Sequence, residues 1–462
     1  MSFINTFEMS VVRSRGKKFI KKVKKSLPWV EHIINNVETA GDLNIQDVKV
    51  KAHRGSICLI CRGSRLLCGK PKCPAIIKLR SFLNVRKNVD SLSILGSSPP
   101  GVFVGRIGYP YVYAGPLVPP ILGDTSLLDA PERWIDKSLE KIIEFRTSLI
   151  RGRFRVNVKR PYKTRKFMER TVELALSERP VDTEVKFKKK PSEVFLFDGE
   201  VQPMGPSAPL REIDLGNVKA DKRIEKAYFD VDLKAEDVTL ELYLNGVPVS
   251  RIQRAFSIGA FGIAKQRRLV PTRWSITAVD STISRRLIEE KVKGKNSINE
   301  YRVYDLQCLG NVFVILLMPG SWSYEWIEAW HPGTLWNPST SNIAMGGDWE
   351  GYKGRTTYAS IGGCYYAVRL AVAEFLAKER RQANVLAMRE IRPGFITPLG
   401  VWINRESVRE AFKKDCKKFN DLTEALKYIN SRFSVNIKEW INVSNLLKNA
   451  IYQQRITDYL RT

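Results

Sequence analysis

Four cysteines lie close together near one end of the chain, in the order Cys58-x2-Cys61-x6-Cys68-x4-Cys73. Four thiolates at such short spacings can wrap a tetrahedral Zn²⁺, with Gly63, Gly69 and Pro71 supplying the turns. Arg62, Arg65, Lys70 and Lys72 beside them would offset the negative charge of a Cys₄ site and lower the thiol pKa values. An iron–sulfur cluster and unliganded buried thiols are the competing readings, and His53 is a reserve ligand. Closed Cys₄ sites are structural, so Cys58, Cys61, Cys68 and Cys73 predict a zinc scaffold rather than a reactive centre.

Carboxylates are the other candidates for chemistry. The chain has no Walker A loop, no G-x-G-x-x-G after a strand and no H-E-x-x-H, so nothing supports dependence on ATP or NAD. Histidine is scarce, at His32, His53 and His331, which argues against a Ser-His-Asp mechanism. Phosphodiester cleavage would instead need paired carboxylates around Mg²⁺. Asp348 and Glu350, in Gly346-Gly347-Asp348-Trp349-Glu350-Gly351, are the best such pair, because the small-residue run Ala359–Gly363 follows closely and lets backbone approach a ligand. Asp198 with Glu200, Asp230 with Asp232, and Glu325, Glu328 and His331 are weaker groupings; acidic pairs are more often solvated or matched to arginine. Trp322, Tyr324, Trp326, Trp330 and Trp336 could stack on unpaired bases, but core packing is the commoner fate of such residues.

Binding chemistry is written more strongly than catalysis. Lys plus Arg total 76 against 48 Asp plus Glu, a net charge of +28, which favours nucleic acid as partner ahead of an anionic membrane surface. The charge is clustered. Arg151, Arg153, Arg155, Lys159, Lys163 and Arg165 crowd one stretch, and Phe154, Val156 and Val158 alternate with the first of them. That alternation predicts a strand with one apolar and one cationic face, suited to phosphates; a merely solvated face is the bland reading. At the far end, Gln453, Ile456, Tyr459 and Leu460 fit the spacing Gln-x-x-aliphatic-x-x-aromatic-aromatic/Leu. The pattern resembles the peptide by which replication and repair proteins dock on the PCNA sliding clamp. One helical turn puts Ile456, Tyr459 and Leu460 on a common apolar knob, with the glutamine amide at its rim. Tyr459-Leu460 stands where two large aromatics bind best.

The elements that must position these residues can be read coarsely. A length of 462 residues suggests roughly two to four domains. Residues 1–50 read as a basic arm, with eight basic and no acidic residues between Arg13 and Lys25. Residues 51–95 form the Cys₄ element, 96–275 a first core region with the basic face, 276–445 a second core region, and 446–462 the clamp-docking tail. Val102–Val104, Tyr111–Tyr113, Thr239–Tyr243 and the apolar run Val312–Met318 read as strands. Pro131–Ile150, Tyr365–Arg381 and much of 405–450 read as helices, and Asn245-Gly246 as a turn. Strands and helices mix without strict alternation, which predicts a multidomain α+β fold. No stretch is apolar enough for a membrane span, no secretory signal opens the chain, and the odd count of seven cysteines fits a reducing cytosol.

These pieces in this order resemble the archaeal Nre DNA-repair family, in its NreA-type form. The matching runs are Cys58-Leu59-Ile60-Cys61-Arg62-Gly63 with Cys68-Gly69 and Cys73-Pro74; Pro99-Pro100-Gly101-Val102-Phe103-Val104-Gly105-Arg106 with Gly108-Tyr109-Pro110; and Gly205–Leu210. Further on they are Arg267–Asp280, Glu350-Gly351-Tyr352-Lys353-Gly354-Arg355-Thr356, and Pro398-Leu399-Gly400-Val401-Trp402. The resemblance implies an archaeal, cytoplasmic and nucleoid-associated protein of DNA damage repair. It implies a metal-binding motif at the four cysteines and PCNA contacts at Gln453, Ile456, Tyr459 and Leu460. The expected function is a DNA-binding repair factor docked on PCNA. It would act as a metal-dependent nuclease or base- or adduct-removing enzyme, or as a non-catalytic adaptor; RNA binding is the alternative from another class.

Overall fold

The computed structural model describes residues 50–51, 61, 64–86, 91–161, 165–191, 195–196, 202–334, 336–337 and 341–452. The first part of the chain builds a six-stranded sheet. A short β1 (Val50–Lys51) pairs apart from it with β7 (Phe195–Leu196). The sheet itself contains β2 (Ser93–Ser98), β3 (Val102–Val104), β4 (Tyr111–Val118), β5 (Ile150–Asn157), β6 (Val181–Phe187) and β8 (Ser207–Leu215). Its strand order is β2-β6-β8-β5-β4-β3, with β5 and β8 the parallel pair. Alternation sets its faces: in β5, Phe154 and Val156 are buried while Arg153 and Arg155 lie on the other side. The cationic and apolar faces expected of Arg151–Lys159 are therefore formed. Gly115 permits the close approach of β4 to β5, since a Cβ there would sit 1.9 Å from the Gly152 carbonyl oxygen.

A second six-stranded sheet follows, built from β9 (Tyr301–Cys308), β10 (Asn311–Met318), β11 (Ser323–Trp330), β12 (Ala344–Glu350), β13 (Asn384–Ile391) and β14 (Lys417–Phe419) in the order β12-β11-β13-β10-β9-β14. The unbroken apolar run at Val312–Met318 is a strand buried on both faces. Phe313, Ile315 and Leu317 join one core, and Val312, Val314, Leu316 and Met318 join another.

Helices supply the layers. They are α1 (Pro74–Arg86), α2 (Leu139–Ser148), α3 (Arg165–Leu176), α4 (Lys222–Phe229), α5 (Ala235–Leu244), α6 (Val249–Ser257), α7 (Thr272–Leu287), α8 (Gly363–Glu379), α9 (Trp402–Ala411), α10 (Leu422–Arg432), α11 (Ile437–Val443) and α12 (Asn445–Tyr452). Apolar residues of α3, α6, α7 and α8 share one continuous core with the inner faces of both sheets. The opposite face of the second sheet is covered by α10, α11 and α12 through Ile429, Trp440 and Leu447. The fold is thus mixed α and β, with two sheets and a helical layer between them. Among the described residues no helix is long and apolar enough to cross a membrane.

Two expected elements differ. Thr239–Tyr243 is part of α5, not a strand, and Thr239 donates its hydroxyl to the Ala235 carbonyl one turn back. Pro131–Ile150 is a short turn at Pro131–Arg133, then α2, with Ile150 already opening β5.

Candidate nucleic-acid interface and an arginine-lined pocket

The open face of the first sheet gathers aromatic and cationic side chains. β4 and β5 run antiparallel with Tyr113 opposite Arg155 and Tyr111 opposite Asn157. Long side chains therefore reach diagonally. The Arg153 guanidinium lies over the Tyr113 ring at 5.2 Å, and Arg155 over Tyr111 at 5.5 Å. Tyr111 and Tyr113 are half exposed, at 52% and 47%. Neither Arg153 nor Arg155 has an ion-pair partner among the described residues, and the Arg153 Nε is buried without an acceptor. Tyr109 extends the surface and meets exposed Trp274, at the start of α7, with ring centroids 5.4 Å apart. A row of rings with uncompensated guanidinium groups between them can stack on bases and hold phosphates.

Of the predicted cationic residues, Arg151 is tied back by its Nε donating to the Gly205 carbonyl at 3.1 Å, while Lys159 is exposed just past the strand. Lys163 and the Arg165 side chain lie outside the described residues, as do Asp198, Glu200, Gln453, Ile456, Tyr459 and Leu460. The tyrosines were missed as partners. Their alternation in sequence marked a strand, but their pairing with Arg153 and Arg155 depends on a register between segments some forty residues apart.

Asp348 and Glu350 alternate on β12 and point to the same side, as strand spacing dictates. Each is matched to an arginine. Arg355 donates to Asp348 at 2.8 Å, and the Ser360 and Trp349 amides add bonds at 2.7 and 2.9 Å. Burial opposes ionisation of Asp348, but Arg355 and these amides outweigh it and hold the carboxyl below its usual range. Glu350 is buried and accepts from Arg369 at 2.8 Å; Arg369 in turn donates to Ser284 of α7 at 3.1 Å. Above this pair opens a cavity of about 380 Å³ between the end of α7, the loop after β12 and the start of α8.

The remaining acidic candidates separate. Glu325 and Glu328, three apart on a strand, face opposite sides of the sheet. Glu325 accepts from the Ser444 hydroxyl at 2.6 Å and the Leu446 amide at 2.9 Å, and Glu328 from Arg389 at 3.1 Å. His331 lies 3.4 Å from Glu390 instead. Trp322, Tyr324 and Trp326 are buried core residues, and Trp336 is half exposed.

The metal expectations are corrected. Among the described residues no three His, Cys, Asp or Glu side chains gather in a group able to hold a metal ion. This overturns Zn²⁺ at Cys58, Cys61, Cys68 and Cys73, and Mg²⁺ at Asp348 and Glu350. Cys61 is buried, and its sulfur accepts the Leu67 amide at 3.4 Å; Cys68 and Cys73 are half-buried, and Cys58 lies outside the described residues. No described cysteine is in a disulfide. Docking positions this segment instead: Lys70 donates to the Ile396 carbonyl at 3.3 Å, Lys72 pairs with Glu140 at 2.6 Å, and Ser81 bonds Thr147 at 2.5 Å. The carboxylates on β12 have their charge met by Arg355 and Arg369.

Comparison with known proteins gives the lineage. The family model described as archaeal Nre, N-terminal, matches residues 67–337, and that of archaeal Nre, C-terminal, matches residues 350–459. The DNA repair protein NreB of Archaeoglobus fulgidus is 45% identical over 394 residues, 85% of this chain and 97% of that protein. The DNA repair protein NreA of the same organism is 39% identical over 83% of this chain and 95% of its own length. NreA of Haloferax volcanii is 36% identical over 76% of this chain and 86% of its own length. No solved structure matches the chain. Both NreB and NreA stand among these relatives, so the expected resemblance holds for the family and not for the NreA type in particular. With both regions matched and relatives aligned over most of their length, the chain belongs to the archaeal Nre family.

Proposed function

We propose that this chain is a DNA-damage repair factor that lays a DNA strand across the open face of its first sheet and docks on the PCNA clamp through its C-terminal segment. The observation that carries the DNA reading is the interleaving of Arg153 and Arg155 with exposed Tyr111 and Tyr113, with no acidic partner among the described residues. Arg151 and Lys159 flank the face, and Lys163 and Arg165 continue the basic run in sequence. Phosphate contacts supply affinity and ring stacking suits unpaired bases, so the favoured ligand is a strand with its bases exposed. The relatives are named DNA repair proteins, which gives that binding its context. The spacing of Gln453, Ile456, Tyr459 and Leu460 supports clamp docking.

The reading is of a binding factor that places other chemistry at the clamp, because Asp348 and Glu350 are each held by an arginine. The test is Arg153→Glu with Arg155→Glu, both on the open face and away from the core. Affinity for a single-stranded oligonucleotide should fall at least about tenfold with the melting temperature unchanged. Undiminished affinity would leave a solvated face and no more. For the tail, Tyr459→Ala should abolish retention of the full-length protein on immobilised PCNA; equal retention of both proteins would sink the clamp reading.

A further inference from the structure

The cavity above Glu350 has a surplus of donors that its own carboxylates do not meet. Arg285, Lys293, Lys353, Arg355 and Arg369 line it, against Glu289 and Glu350. Both acids are engaged within the wall: Glu350 accepts from Arg369 at 2.8 Å, and Glu289 accepts from Lys293. Two of the cations are met from outside the lining, Arg355 by Asp348 and Arg285 by Glu236. Lys353 has no hydrogen bond or ion pair among the described residues.

The lip of the cavity is built to present donors. A tight turn closes between Gly351 and Gly354, with the Gly354 amide donating to the Gly351 carbonyl at 2.9 Å, and it carries Lys353. Gly354 takes a left-handed φ of 76°, a conformation that favours glycine. The chain then runs through Arg355, Thr356, Thr357 and Tyr358. Arg355 braces it by donating from Nε to the Thr357 carbonyl at 2.8 Å. Among the described residues, the amides and hydroxyls of Thr356 and Thr357 meet no acceptor within the protein. A lysine, two hydroxyls and two amides on one short loop, above a buried arginine, are the donor set of a phosphate site. Tyr358 is 51% exposed and lies against Tyr366 with ring centroids 5.4 Å apart, which gives a base or sugar an aromatic wall.

We infer that this cavity binds the phosphate of a nucleotide, held by Lys353, Thr356 and Thr357 over Arg369, with Tyr358 against the nucleoside. Its volume of about 380 Å³ lies in the range of small-ligand pockets. The same phosphate chemistry is offered by a free mononucleotide and by a unit of a bound strand. The strand source rests on the proposed DNA face, to which α7 leads. Trp274, against Tyr109, opens that helix, and Arg285 lines the pocket eleven residues later, about 16 Å along the axis.

The experiment is calorimetric titration of the full chain with deoxyadenosine 5′-monophosphate, with deoxyadenosine, and with inorganic phosphate. The monophosphate should bind and the nucleoside should bind far more weakly. Lys353→Glu, at an exposed position on a turn, should weaken the monophosphate at least about tenfold while the melting temperature holds. Thr357→Val, which removes the hydroxyl alone, should weaken it by a smaller factor. No binding of the monophosphate, equal binding of nucleoside and monophosphate, or affinity untouched by both substitutions would overturn the inference. A mononucleotide is too small to span the pocket and the sheet face, so the part of its affinity that Lys353→Glu removes reports the pocket. Displacement of the monophosphate by a single-stranded oligonucleotide would assign the phosphate to the strand, and independent binding would assign it to a free nucleotide. Loss of strand binding in Arg153→Glu with Arg155→Glu tests the sheet-face reading separately.

Discussion

Glu390 shows how individual side chains in this protein are committed. It is buried, yet it accepts from the Ser434 hydroxyl at 2.6 Å, the Ser434 and Val435 amides at 2.8 and 3.0 Å, and Arg392 at 2.6 Å, with His331 at 3.4 Å. Burial works against its charge, but these donors win and pull its pKa down from 4.5 to about 2. A carboxylate more acidic in the folded state than in the unfolded chain contributes stability above its unfolded pKa. That contribution is whole above about pH 4.5 and drains away as pH falls toward 2. Glu390→Gln should therefore start less stable at neutral pH and lose less between pH 5 and pH 2, as read by urea unfolding at each pH. Parallel losses in both proteins would show that the Glu390 network does not govern the acid limb. Asp348 and Glu350 teach the same lesson about function. Their spacing on one face was legible, but Arg355 and Arg369 come from a loop and a helix whose approach was not.

At the scale of elements, carboxylates from strands hold helix ends. Glu325 on β11 caps the start of α12, accepting from the Asn445 and Leu446 amides at 2.8 and 2.9 Å and from Ser444 at 2.6 Å. Donors freed at a helix N-terminus are well met by a negative charge. Glu325→Ala should leave several buried donors unmet and cost about 2 kcal/mol, measured by urea unfolding. A loss below about 0.5 kcal/mol would mean that water replaces the carboxylate without cost. Elements also mark where sequence patterns mislead. In Thr239–Tyr243 a five-residue alternation suggested a strand, but Val238, Thr239, Leu240 and Leu242 are all buried on a helix. A window that short cannot separate a period of 2 from one of 3.6, and Glu236 and Asp237 in the first turn carried the better signal.

For the whole molecule, a net charge of +28 would make any polyanion bind to some degree, so the proposed face must be distinguished from general attraction. Salt dependence does that. Each phosphate neutralised on a single strand contributes about 0.7 to the slope of log affinity against log salt. If Arg153 and Arg155 each hold one, replacing both should lower the slope by about 1.4. Substitution of two cations elsewhere on the surface should change it far less. An equal fall from both pairs would assign binding to net charge alone. The architecture supports a localised face: helices cover the apolar side of the first sheet, so its outer side is the one left for a ligand.

By itself the sequence determined what local periodicity and short spacing can encode. The alternation in Arg151–Lys159 dictated a two-faced strand because the pleat has the same period, and the apolar run Val312–Met318 dictated a strand covered on both sides. The family was legible for a similar reason, since its runs are contiguous. Tertiary structure alone decided which tyrosines stand beside which arginines, because the register of β4 on β5 is a long-range choice made by packing and by Gly115. It decided that Asp348 and Glu350 meet arginines, and that the segment carrying Cys68 and Cys73 is drawn onto the body of the protein through Lys70, Lys72 and Ser81. Spacing states which groups could meet. Only the packed core settles which of them do, since each such contact must offset the entropy of bringing distant segments together.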